Sequence, residues 1–158
     1  MEWVTLVILC WAGFYDLKYK KVPNWLTYGL LFAALLFHGF QGAFIPSLLG
    51  GLLGLGWFLI PYMLGGMGAG DVKLLAATGA VVAWPGALYV VLYSSIVGGF
   101  LVLVLAFKNV DYKSFWLALA GGAGKFFKSI WVSGREHRKE KVPYALSIAV
   151  GYALYLLL

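Results

Sequence analysis

The sequence predicts an all-α, polytopic membrane fold with about six transmembrane helices and one cytoplasmic interfacial amphipathic segment. Three observations predict it. The chain of 158 residues is 63% hydrophobic, 18% aromatic and only 11% charged, with a mean hydropathy of +0.89, far from the balance of a soluble domain. Apolar runs follow one another with short interruptions, and the Lys and Arg residues fall in alternate interruptions.

The six apolar segments cover, approximately, residues 3–15, 25–40, 44–64, 72–83, 86–107 and 142–158. The first opens on Met1-Glu2-Trp3 without a basic stretch, and no small-residue cleavage site follows, so it is expected to remain rather than leave as a signal peptide. Its helix is expected to run from Glu2 to about Lys21 and to stop before Pro23. In the third, Gly50, Gly51, Gly54 and Gly56 give helices room to approach backbone to backbone. The fourth is short: Asp71 to Ala83 spans about 20 Å as a helix, against about 30 Å of hydrocarbon. Asp71 is therefore expected well inside the membrane edge, with Trp84-Pro85 at the opposite interface.

Lys18, Lys20 and Lys21 fall in the first connection, Lys73 borders the third, and the other basic residues, from Lys108 to Lys141, fall in the fifth. This one-sidedness places connections one, three and five in the cytoplasm and both termini outside. Residues 115–131 read as an interfacial amphipathic helix, since a seventh span there would break the alternation of the basic connections. The charge run 134–141 is a topological anchor. The whole chain, 1–158, reads as a single integral-membrane domain with a basic cytoplasmic loop at 108–141.

The net charge of +6 would suggest nucleic acid in a soluble protein, but here it serves topology, and no nucleic-acid partner is expected. Cys10 is the one cysteine, and His38 and His137 are the two histidines, so neither an internal disulfide, a metal site nor a cofactor is expected.

Four of the six acidic residues, Glu2, Asp111, Glu136 and Glu140, sit in ordinary polar positions. Asp16 and Asp71 do not. Each lies against the cytoplasmic end of an apolar segment, where a carboxylate is costly unless it faces a partner or a polar cavity. Two apposed carboxylates can hydrolyse a peptide: one, ionised, takes a proton from water while the other, protonated, polarises the scissile carbonyl. Paired intramembrane acids can also relay protons or bind a cation in a transporter subunit, or merely orient helices in an assembly factor.

The run Gly66-Met67-Gly68-Ala69-Gly70-Asp71-Val72-Lys73 resembles the GxGD signature of membrane aspartyl proteases. The first acid, in Asp16-Leu17-Lys18-Tyr19-Lys20-Lys21-Val22-Pro23-Asn24, is similar to the Asp, basic residues and Val-Pro-Asn of type IV prepilin peptidases. The ending Val142-Pro143-Tyr144-Ala145-Leu146-Ser147-Ile148-Ala149-Val150-Gly151 resembles their last helix. The resemblance implies an endopeptidase of the inner membrane that cuts the leader of pilin-like precursors after a glycine at the cytoplasmic face, with Asp16 and Asp71 as the catalytic pair. It also implies pilus or secretion machinery as partners. Lacking paired CxxC motifs, the sequence resembles the short, peptidase-only form associated with Flp/Tad-type pili, for which N-methylation is not expected.

Beside that pair, Gly68 and Gly70 are expected to open backbone conformations or close approaches near Asp71. Pro23 and Asn24 shape the turn into the second helix, with Asn24 as a cap or a hydrogen-bonding neighbour of Asp16. Pro143 is a further candidate for shaping the pocket. Lys73, two residues beyond Asp71, points away from it on a helix and is read as snorkelling. Because leader peptides of this class are basic, the basic loop cannot attract them by charge. Neutralising Arg135, Arg138 and Lys139 is expected to leave cleavage of a precursor within about twofold of the parent, and a large loss at unchanged expression would contradict this.

Overall fold

The computed structural model describes residues 2–19, 22–63, 67–109 and 144–158, and these are all-α, as the sequence predicts. Six helices follow in order: α1 (Glu2–Tyr19), α2 (Asn24–Phe40), α3 (Phe44–Met63), α4 (Ala69–Val82), α5 (Gly86–Asn109) and α6 (Tyr144–Leu157). The interfacial segment at 115–131, the basic run and Pro143 lie outside the described residues.

The helix at the centre is α4. From Asp71 to Val81 every residue except Lys73 is buried, because α3 and α2 cover one side while α5, α6 and α1 cover the other. The remaining helices each bury one stripe. In α1, Thr5, Leu9, Ala12 and Asp16 recur at helical spacing on the buried face, and α1 lies mainly on α6 while also touching α4. In α2 the buried stripe is Leu26, Thr27, Leu30 and Ala34, and it lies on α4.

The stripe of α3 is Ser47, Gly50, Gly51, Gly54 and Phe58. A Cβ added at Gly50 would collide with the Gly79 carbonyl oxygen, and one added at Gly79 with that of Gly50. A Cβ at Gly54 would stand 2.6 Å from Leu75 O, so these two helices meet backbone to backbone. Ser47 Oγ adds a hydrogen bond to Ala80 O at 2.7 Å. Gly56, expected to belong to this stripe, has nothing within 4 Å of a Cβ added to it and faces outward. It is two residues from Gly54, and residues two apart on a helix lie on nearly opposite faces. On the other side, Gly151 of α6 lies against the backbone of Ser94 in α5, again too close for a Cβ.

The interior is therefore rich in small residues and hydroxyls, whereas large apolar side chains point outward. Trp3, Val7, Phe14, Phe32, Ile45, Ile60, Met63, Ile96 and Phe100 are all exposed, an arrangement that would leave a water-soluble monomer with an extensive apolar surface. Among the described residues one helix, Phe44–Met63, is by itself long and apolar enough to cross a bilayer, with a mean hydropathy of 1.7, and shorter apolar helices run over Asn24–Phe40, Gly86–Leu101 and Tyr144–Leu157.

Candidate functional site

Asp16 belongs to the last turn of α1, three residues before Tyr19, and its place on the stripe of Thr5, Leu9 and Ala12 turns it into the bundle. Asp71 belongs to the first turn of α4, the end at which a helix favours negative charge. Each carboxylate residue is only 6% exposed, so both are withdrawn from the surface at a cost that a surface acid does not bear.

Three connections bring the two ends together. A Cβ added at Gly70 would stand 3.1 Å from the Cβ of Val22, so the turn after α1 lies against the start of α4. Lys73 Nζ donates to Asn24 Oδ1 at 3.3 Å, tying the same two segments. Gly13, one turn before Asp16, lies against Leu146, 3.3 Å from its Cα to an added Cβ, and Tyr144, half a turn earlier in α6, lines one groove with Met67, two residues before α4. The last turn of α1 and the first turns of α4 and α6 thus converge at one end of the bundle.

The glycines of the Gly68-Ala69-Gly70 run have a different role from the conformational one expected. Gly68 is the N-cap of α4 at φ −82° and ψ 145°, an ordinary extended conformation. Among the described residues the glycine with positive φ is Gly42, which is remote in sequence from this run. What Gly68 supplies is space, since an added Cβ would lie 2.9 Å from Asp71 Oδ2. Gly70 likewise admits Val22.

Asn24 is not a cap. The N-cap of α2 is Pro23, which makes no side-chain hydrogen bond to the helix, while its carbonyl accepts from Leu26 N at 3.2 Å. Asn24 is the first helical residue, so its side chain points out of the turn and meets Lys73. Lys73 in turn does not simply snorkel: it is half-buried, and its Nζ stands 4.9 Å from the centroid of the Tyr28 ring.

Tyr144 was not singled out in the sequence. Its ring packs edge-on against Phe58 at 6.4 Å, and it borders a groove of about 330 Å³ between α3, α5 and α6, together with Trp57, Pro61, Met67 and Gly98. The available signal was its position as the first aromatic residue after Val142-Pro143. His38 lies far from this end, its Nε2 donating to Val81 O at 2.9 Å near the last turn of α4. Among the described residues no cluster of three or more His, Cys, Asp or Glu residues fit to hold a metal occurs.

Residues 3–103 match the model of the "Type IV leader peptidase family". The chain belongs to that family. Among curated proteins it is similar to the prepilin leader peptidase/N-methyltransferase of Aeromonas hydrophila, 34% identical over a 149-residue alignment covering 75% of this chain and 48% of the relative. It is also similar to the protein of that name from Xanthomonas campestris pv. campestris, 37% identical over a 135-residue alignment covering 75% and 47%. The chain spans about half the length of the curated relatives it matches. No solved structure matches it. As a type IV leader peptidase family member, it carries both segments of the converging end, Asp16 with Val22-Pro23-Asn24 and Gly68 with Asp71, inside the matched region.

Proposed function

We propose that this protein is an aspartic-type endopeptidase that removes the leader peptide from type IV pilin-like precursors, with Asp16 and Asp71 acting as a pair across one water molecule. The observation that carries the reading is the burial of two acids at one converging end of the bundle, in a chain of the type IV leader peptidase family. One carboxylate deprotonates the water and the other donates a hydrogen bond to the scissile carbonyl.

The apolar outer surface and the one-sided distribution of Lys and Arg support a multi-pass inner-membrane protein with about six spans. Both termini then face outward, and the converging end faces the cytoplasm, beside Lys18 and Lys73 and on the side of the basic loop. The glycines of α3 and α4 suit helices that associate in lipid through backbone contact. The transport alternative finds no support in the family, and the proposal covers cleavage alone, not methylation.

The test is direct: the purified protein in detergent, mixed with a pilin precursor, releases the leader peptide, seen as a mass shift of the precursor. Intact precursor after long incubation with folded protein would remove the reading. Within this reading the Tyr144 phenol supplies one hydrogen bond at the site, worth about 1 kcal/mol, so Tyr144→Phe is expected to lower kcat about fivefold with KM nearly unchanged. A parental kcat would show that the phenol plays no part.

A further inference from the structure

We propose that Lys73 is a positioning residue: through Asn24 and Tyr28 it latches the first turn of α4 to the start of α2, and so sets the rotation that aims Asp71 at Asp16. The inference rests on the proteolytic reading above for its consequence, but not for its geometry.

Lys73 and Asp71 are two residues apart on one helix, about 200° around its axis. Asp71 faces inward, and Lys73 leaves on the other side toward α2. There its ammonium is held twice, by Asn24 Oδ1 at 3.3 Å and over the Tyr28 ring at 4.9 Å. Both partners belong to the first two turns of α2, whose start is fixed in turn: Thr27 Oγ1 donates to Asn24 O at 2.9 Å, and Pro23 O receives Leu26 N and Thr27 N. The short connection from Tyr19 to Asn24 joins this point to the turn of α1 that carries Asp16.

Such a tie adds to the packing of Val72, Leu74 and Leu75, which already constrains the rotation of α4. Its broadest contact is with α3, and there the meeting surfaces are Gly50, Gly51 and Gly54 against Ala76, Gly79 and Ala80. A surface of this kind has few side-chain knobs to fix azimuth, since knobs in holes are what lock one helix against another. At the far end His38 supplies a tie to Val81 O. At the Asp71 end Lys73 supplies its counterpart. A catalytic carboxylate displaced by about 1 Å can lose about 100-fold in rate, so a modest tie here governs a large effect.

The test uses the full chain, with Cys10→Ser as background so that Val22→Cys is the one thiol. Val22 is buried against Gly70 and reports whether the latch is closed. Lys73→Met keeps most of the stem and removes the ammonium; Asn24→Ala removes its acceptor. Each is expected to lower kcat on a pilin precursor about tenfold with KM within about threefold, and the double variant to be no slower than the slower single variant. In both, a water-soluble maleimide should modify Val22→Cys several-fold faster than in the background. Should Lys73→Met fail to accumulate, Asn24→Ala, altered at an exposed position, carries the same comparison.

Three results overturn the latch: a parental kcat in either variant that folds, an unchanged labelling rate, or losses that multiply in the double variant. A background protein that folds but cleaves no precursor removes the proteolytic reading instead, and the labelling comparison then decides the latch by itself.

Discussion

Asp71→Asn and Asp16→Asn are each expected to reduce leader cleavage by roughly a thousandfold or more. Asn preserves the size of the side chain and most of its hydrogen bonding but cannot take or hold the proton. Both positions are almost fully withdrawn from solvent; Asn removes a buried charge at the ionised member of the pair and replaces a neutral group at the protonated one, so the variants should fold about as stably as the parent. Loss of cleavage with an unchanged melting curve therefore isolates chemistry from structure. The measurement is single-turnover cleavage of a pilin precursor in detergent. Substantial cleavage by one variant would exclude that residue from the catalytic pair, and the double variant should lose little beyond the slower single one, because two groups that act on one water fail together.

Gly50→Leu is expected to cost about 3 kcal/mol, a large share of the stability of a marginally stable chain. The cause is not the volume of Leu as such. Gly50 and Gly79 each lie where the other's carbonyl oxygen would meet a Cβ, and neither backbone can yield without separating α3 from α4 along the stripe that continues to Gly54 and Leu75. Gly56→Ala, on the same helix but facing outward, provides the internal contrast: no neighbour opposes the added methyl, and helix propensity favours it by about 0.5–1 kcal/mol. Thermal unfolding in detergent should order the three proteins as Gly56→Ala, parent, Gly50→Leu. Equal midpoints for all three would mean that the α3–α4 contact is not close-packed as described.

Much of this was legible in the sequence for identifiable reasons. Each apolar run was long enough to be a helix, and punctuation by Pro23, Gly42, Gly86 and the Gly66-to-Gly70 run set the boundaries within a few residues. Asp16 and Asp71 stood out because acids are rare in such a composition. What could not be read was direction around the helix axis. Gly56 was grouped with its neighbours by spacing along the chain, although its azimuth turns it away from α4. Gly68 is read as opening unusual backbone conformations or close approaches near Asp71; its backbone is ordinary extended chain, and an added Cβ would crowd the end of the Asp71 side chain. Spacing alone reads Lys73 as snorkelling and Asn24 as a cap or a hydrogen-bonding neighbour of Asp16, because the contact between them joins two helices brought together only by the fold. Tyr144 has one local mark, its place just after Val142-Pro143, but its nearness to Phe58 and Met67 comes from the fold.

Below its first turn α4 is closely packed. Leu74, Leu75, Ala77 and Ala80 are fully buried, and Thr78, the polar side chain among them, returns its hydrogen bond to Leu74 O at 2.8 Å. In the proposed reading, a carboxylate at the mouth of this closely packed apolar helix is reached from the Asp71 end of the bundle. Under the proposed hydrolysis, the proton taken from water would leave and return on that one side of the bundle.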